Sequence, residues 1–174
     1  KKISSKLKIL RNHGQRGKKA YFYEMIGGNF RLSNLLASIG YSQLLRINKI
    51  LQKKKDLDNC YRKNLSNNSN FTLMKDPKNF SSIKFGFPIL LKNEKDKKNI
   101  MKILNKSSIV CRPGFYSLNR LKHLNIYQNK KSSKLDFKNA EIATNNVVVL
   151  PMHNKLRNYE LKSICSKINS YFKN

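Results

Sequence analysis

Cysteine is scarce and odd in number: Cys60, Cys111 and Cys165, widely spaced and without a Cys-x-x-Cys pair. That pattern argues against a disulfide framework and a cysteine zinc site, and leaves three small, reduced, apolar side chains. Histidine is as sparse. His13, His123 and His153 never fall at i, i+4, which excludes a zincin-type helix, and no metal site is expected. Neither a Gly-x-Ser-x-Gly elbow nor a Walker loop is present. Of the nine carboxylates only Asp56/Asp58 and Glu94/Asp96 are close in sequence. Both pairs lie in lysine-rich helical faces read as solvated, so no acid–base pair is expected. No apolar run approaches the ~20 residues that span a bilayer, and no signal peptide pattern is visible. The expectation is a cytoplasmic protein with no membrane partner.

Positive charge is abundant instead. The 174 residues carry 37 Lys and Arg against 9 Asp and Glu, a formal net charge of +28, with 39% hydrophobic residues. Such a balance raises a nucleic acid or anionic surface as partner. The lysines are scattered, however, with short runs only at Lys53–Lys55, Lys97–Lys98 and Lys130–Lys131. Scatter of that kind reads as compositional bias more than as a nucleic-acid face, which would collect arginine and stacking aromatics on one element.

Periodicity places the elements. Ser4 to Arg11 reads as the end of an amphipathic helix with Leu7 and Leu10 inward. Glycines at 14, 17, 27 and 28 mark an ordered loop, packed by Tyr21, Phe22 and Tyr23. From Leu32 an apolar pattern recurs at three- and four-residue steps to about Leu65, with room for a bend and Ser33 as N-cap. Strands are expected at Phe71–Met74, Ile83–Leu91, Ser108–Arg112 and Val147–Leu150, with Pro88 marking an edge or bulge. Helices are expected at Glu94–Leu104, Phe137–Thr144 and Tyr159–Phe172, with one helical turn at Leu118–Leu124. Alternating strands and helices over about a hundred residues make an α+β unit.

The segment "GGNFRLS", Gly27 to Ser33, combines good anion ligands. Glycines permit close backbone approach, Asn29 offers an amide donor, Arg31 a charged fork, and the following helix its positive end. A plain turn, with Asn29 capping the helix and Arg31 solvated, is the alternative, and spacing alone favours it.

A longer pattern shifts that balance. "LRNHG" (Leu10–Gly14), a gap, and "GGNFRLSNLLASIGYSQLLRI" (Gly27–Ile47) resemble the nucleotide-sugar aminotransferases of the DegT/DnrJ/StrS type. The matching positions are Gly27, Asn29, Arg31, Leu32, Ala37, Gly40, Gln43 and Leu44; Ser38 departs from the usual Ala. "VCRPGFYSL" (Val110–Leu118) is similar to that family's R-P-x-W-x-P-L-H element, with Phe115, Ser117 and Asn119 replacing its Trp, Pro and His. "NVVVLPMH" (Asn146–His153) resembles its late strand.

The resemblance implies pyridoxal 5'-phosphate as cofactor and the fold of aspartate aminotransferase, type I among enzymes using that cofactor. It implies a homodimer with the cofactor shared across the interface, an amino-acid donor, often glutamate, and a keto-sugar nucleotide substrate. It also implies that the Schiff-base lysine lies upstream of Leu10, so no lysine here is assigned a catalytic role. Residues 1–31 would be a remnant of the large domain and its cofactor-facing loop. Residues 32–66 would form a long interdomain helix, and residues 67–174 the small C-terminal α+β domain. Asn29 would reach the cofactor phosphate of the other subunit, with Gly28, Arg31 and His13 beside it. Arg112, Phe115 and Tyr116 would face substrate. Two other readings remain at this level: a basic module binding nucleic acid by itself, and a non-catalytic partner that completes another chain's site.

Overall fold

The computed structural model describes residues 2–16, 23–80, 82–121 and 137–173. Gly17, Tyr21, Phe22, His123, Leu124, Lys130 and Lys131 therefore lie outside the described residues. The chain divides into two compact units, Lys1–Ile47 and Asn48–Asn174.

In the first unit α1 spans Lys2–Arg11 and buries only Ile9. Leu7, expected inward, is exposed. Helix α2, Asn34–Leu44, starts where expected: the Ser33 hydroxyl accepts a hydrogen bond from the Leu36 N–H at 3.3 Å. It buries none of its residues, and Leu35, Leu36, Ile39 and Leu44 are all exposed. The apolar pattern beginning at Leu32 is interrupted by a turn at Leu45–Arg46, closed by hydrogen bonds from Leu45 N–H to Tyr41 and from Arg46 N–H to Gln43. The next helix, α3, begins at Ile47 and runs to Leu65.

The second unit is an antiparallel sheet with helices packed on it. Strand β1 is Phe71–Leu73, β2 Phe87–Leu91, β3 Arg112–Pro113 and β4 Val147–Leu150; their order is β1-β2-β4-β3. Helices α4 (Glu94–Lys106), α5 (Lys138–Asn146) and α6 (Asn158–Tyr171) complete it, with one 3-10 turn at Leu118–Arg120. Alternation on β2 buries Phe87, Ile89 and Leu91, and β4 buries Val148 and Leu150. Against them pack Leu57, Tyr61 and Leu65 of α3, Ile100 and Leu104 of α4, and Leu161, Ile164, Cys165 and Ile168 of α6. Tyr61 stacks on Phe87 at 4.6 Å and donates its hydroxyl to the Pro151 carbonyl at 2.8 Å, so its one polar atom is satisfied.

Three strands are shorter than expected. The segment before β3 is occupied by a tight turn after α4, in which Ser108 takes φ 57, so pairing begins only at Arg112. Strand β1 stops opposite Ile89, so Pro88 has β4 alone beside it and sits locally at an edge. Residues 83–86 precede β2 as irregular chain.

Asp58 corrects the expectation of a solvated carboxylate pair. Its side chain is mostly buried, with Oδ2 2.6 Å from Arg62 Nε and Oδ1 3.1 Å from Lys84 Nζ. The Lys84 contact is an ion pair without hydrogen-bond alignment. Lys84 is itself buried and also meets Asp76 Oδ1 at 3.1 Å. One ammonium thus joins α3 to the segment between β1 and β2.

Burial also sets the thiols' behaviour. It pushes Cys165 up to about 12 and raises Cys111 above the usual thiol value. A buried thiol held protonated is a poor nucleophile. Cys111 and Cys165 are therefore expected to resist iodoacetamide at neutral pH in the folded protein and to react fully once unfolded, as peptide mass mapping would read. Rapid native labelling of Cys165 would contradict this packing.

Three carboxylates lie below their ordinary range: Asp76 through its hydrogen bond from Lys84, Glu94 through Lys98, and Glu141 through Arg120 and then Asn119. A depressed folded-state value means that the unfolded chain binds more protons in that window. Their stabilisation is present at neutral pH and is lost as pH falls below about 4.5 for the two glutamates and about 3.8 for Asp76, and on through the folded values. A melting midpoint that stays flat from pH 7 to 5 and falls from pH 4.5 to 3 is expected; a midpoint rising toward pH 3 would reverse the sign.

Candidate functional site

The loop after α1 folds back on the segment before α2 as a backbone clasp. The His13 N–H donates to the Gly28 carbonyl at 3.0 Å, Gly28 N–H to Leu10 at 3.1 Å, and Phe30 N–H to Arg11 at 3.1 Å. Asn12 and Asn29 form an antiparallel bridge. Gly14 adopts φ +78, and a Cβ there would lie 1.7 Å from the Met25 carbonyl oxygen. A Cβ on Gly27 would lie 2.3 Å from Gly14 N. These glycines are needed first for the clasp itself, not to admit a ligand. At Gly28 a Cβ would meet only the Phe30 ring, at 2.7 Å, and that ring is exposed.

The clasp brings four sequence-predicted residues, His13, Gly28, Asn29 and Arg31, into one structure. His13, at φ 57, is exposed and sits at its turn. Asn29 is exposed; its Oδ1 accepts the Arg31 N–H at 3.4 Å, and its carboxamide NH2 is a donor that this bond does not use. The Arg31 guanidinium donates to the Asn12 carboxamide oxygen. Asn12 is a residue that the sequence reading passed over, although it lies within L-R-N-H-G. Arg31 also lines a shallow hollow with Lys8, Arg11 and Arg16. Only Arg16 among these four has a carboxylate partner among the described residues, Glu24 at 3.2 Å. The chemistry of this donor set suits an anion: an amide N–H2, guanidinium groups and a helix start three residues beyond Arg31.

In the second unit, Arg112, Phe115 and Tyr116 follow one another along β3 and the loop beyond it. Phe115 is 83% exposed and Tyr116 66%. Ordinary packing does not explain rings so open. The backbone under them is fixed, though. Gly114 donates to the Val147 carbonyl at 3.1 Å, and a Cβ on it would lie 2.9 Å from Val147 Cβ. Ser117 N–H donates to the Thr144 hydroxyl at 2.7 Å, and that hydroxyl contacts the Phe115 carbonyl at 3.2 Å. Asn119 donates to Glu141 at 2.8 Å, and Arg120 pairs with the same carboxylate. Ser117 and Asn119 thus turn to α5, while the two rings point outward.

The chain belongs to the DegT/DnrJ/EryC1/StrS aminotransferase family, whose model matches residues 1–169. It is 29% identical over 171 residues to a GDP-perosamine synthase of Vibrio cholerae, covering 98% of this chain and 46% of that protein. It is 33% identical over 93 residues to a UDP-4-amino-4,6-dideoxy-N-acetyl-beta-L-altrosamine transaminase of Campylobacter jejuni, covering 52% of this chain and 25% of that protein. Among solved structures, Helicobacter pylori PseC, an aminotransferase involved in the biosynthesis of pseudoaminic acid, superposes with a TM-score of 0.82 at 25% identity. That match covers 99% of this chain and 46% of PseC. The chain spans about half the length of these full-length relatives. The fold is accordingly that of the type I aminotransferases, and the α+β expectation holds. Among the described residues no helix is long and apolar enough to cross a membrane.

Proposed function

We propose that this chain is the C-terminal part of a pyridoxal-phosphate-dependent aminotransferase. It moves an amino group from an amino donor, glutamate, to a keto-sugar nucleotide in surface polysaccharide or amino-sugar biosynthesis. In this reading residues 1–31 carry the cofactor-facing loop, 32–66 the interdomain helices and 67–174 the small domain. The lysine that holds the cofactor lies upstream of Lys1, and the isolated chain is inactive.

The observation that carries the reading is the clasp, which brings Asn29 and Arg31 together, neither of them paired with a carboxylate among the described residues. This donor set fits the cofactor's phosphate. The bound cofactor would supply the electron sink for transamination. Asn29 would donate its amide to the phosphate of the neighbouring subunit, Arg31, braced by Asn12, would add charge, and Gly28 would keep the approach open. His13 would hold the turn beside them. In the second unit Arg112 would pair with the substrate's phosphates while Phe115 and Tyr116 bound its apolar faces. The uncovered apolar residues of α2 further support a chain that folds against more protein than residues 1–174.

The test uses the protein with its upstream sequence. Glutamate should convert the bound cofactor's visible absorbance to that of its amine form, and a keto-sugar nucleotide should reverse the change. A full-length protein that binds no cofactor would refute the reading.

A further inference from the structure

Phe85 has no packing role that explains it, yet everything around it is fixed. Before it, Lys84 is buried between Asp58 and Asp76, 3.1 Å from each. After it, Gly86 is pressed so closely on β4 that a Cβ would lie 2.4 Å from Val149 Cγ1. Phe87 is buried on Tyr61. Between these pinned neighbours the Phe85 ring is 68% exposed and lies 6.2 Å from the Phe115 ring, tilted 56°. Burying a ring is worth about 1.5–3 kcal/mol. Two phenyl rings held in solvent by rigid backbone therefore leave an apolar face open to be covered. Phe85 and Arg112 line the same open hollow, and Arg112 has no ion-pair partner among the described residues. An aromatic face beside an unspent guanidinium matches a planar base carrying phosphates.

We propose that Phe85, with Phe115, forms the surface on which the nucleobase of the sugar-nucleotide substrate stacks, Arg112 taking the diphosphate. The inference rests on the aminotransferase reading and adds Phe85 to the substrate contacts. The buried Lys84 ion cluster and Gly86 act as positioning residues, since they fix the backbone that presents the ring.

The experiment measures uridine diphosphate and guanosine diphosphate binding to the full-length protein by calorimetry, with inorganic pyrophosphate as the baseless probe. Phe85→Ala should weaken whichever nucleotide the wild type binds by about tenfold. It should leave pyrophosphate and cofactor affinity unchanged, and Phe85→Trp should restore nucleotide binding. Arg112→Gln should weaken nucleotide and pyrophosphate alike. Unchanged nucleotide affinity in Phe85→Ala overturns the proposal. So does a loss of melting temperature without a binding change, which would mean that the ring packs against the rest of the protein. A matched loss of cofactor affinity would move the surface to the cofactor ring and overturn it too. If the wild type turns over a keto-sugar nucleotide and Phe85→Ala leaves KM unchanged, only this inference fails. If the wild type uses no such substrate, the aminotransferase reading fails with it.

Discussion

Replacing Lys84 with Met is expected to cost about 3–5 kcal/mol of stability, because breaking a buried ion pair leaves uncompensated charge behind. Lys84 is as buried as the core residues Phe71 and Cys111, at 7% exposure, and is the common partner of Asp58 and Asp76. Met matches the stem and removes only the charge. Asp58 would keep Arg62 at 2.6 Å, whereas Asp76 would lose its principal partner. The melting midpoint should fall by on the order of 10 °C. Adding Asp76→Asn to Lys84→Met should recover part of the loss, because the orphaned charge is then gone. A midpoint within two or three degrees of wild type, on the scale of ordinary surface changes, would show the cluster to be solvated.

Replacing Asn29 with Ala is expected to weaken cofactor retention in the full-length protein by roughly ten- to a hundredfold. That is the range for losing a hydrogen bond to a charged group, about 1.5–3 kcal/mol. The local cost is small: Asn29 is exposed, and the hydrogen bond its side chain accepts from the Arg31 N–H is long at 3.4 Å. Melting temperature of the cofactor-free protein should hardly change. Asn29→Asp separates the explanations. It preserves the shape and the acceptor but sets a negative charge where the phosphate would sit, so it should retain cofactor worse than Asn29→Ala. Equal retention in wild type and both variants, read by equilibrium dialysis and absorbance, would remove Asn29 from the site.

How much of this was legible in the sequence depended on how local the cause was. The α6 stripe Leu161, Ile164, Cys165 and Ile168 and the β4 run Val147–Leu150 follow from periodicity, and both stand in the structure. The turn at Leu45–Arg46 was hidden because the apolar spacing continues through it, from Leu44 to Ile47 and Ile50. Lys84 was invisible among so many lysines: only its tertiary partners, 26 and 8 positions away, make it a core residue. Phe85 was hidden for a related reason. With the strand begun at Ile83, alternation puts Phe85 on the inner face with Phe87; because pairing starts at Phe87, the ring is free to turn out. At the clasp, Asn29 and Arg31 were marked by their motif. Their brace to Asn12, 19 positions before Arg31, is a non-local contact that spacing does not encode. Leu7 shows the limit of a short pattern, since a ten-residue helix that buries one side chain has little periodicity to read.

The most direct test of the central claim, that this clasp completes a cofactor site in another subunit, is a subunit-mixing measurement. One full-length variant carries Asn29→Ala; the other has the upstream cofactor-binding lysine replaced by Ala and keeps Asn29. They are mixed one to one, subunits are exchanged, and transamination is assayed at cofactor levels too low to load Asn29→Ala alone. If Asn29 acts on the neighbouring subunit, each mixed dimer regains one intact site, and activity should rise to about a quarter of wild type from two nearly inactive parents. If the mixture stays at the average of its parents, Asn29 does not complete a site across the interface, and the account is wrong.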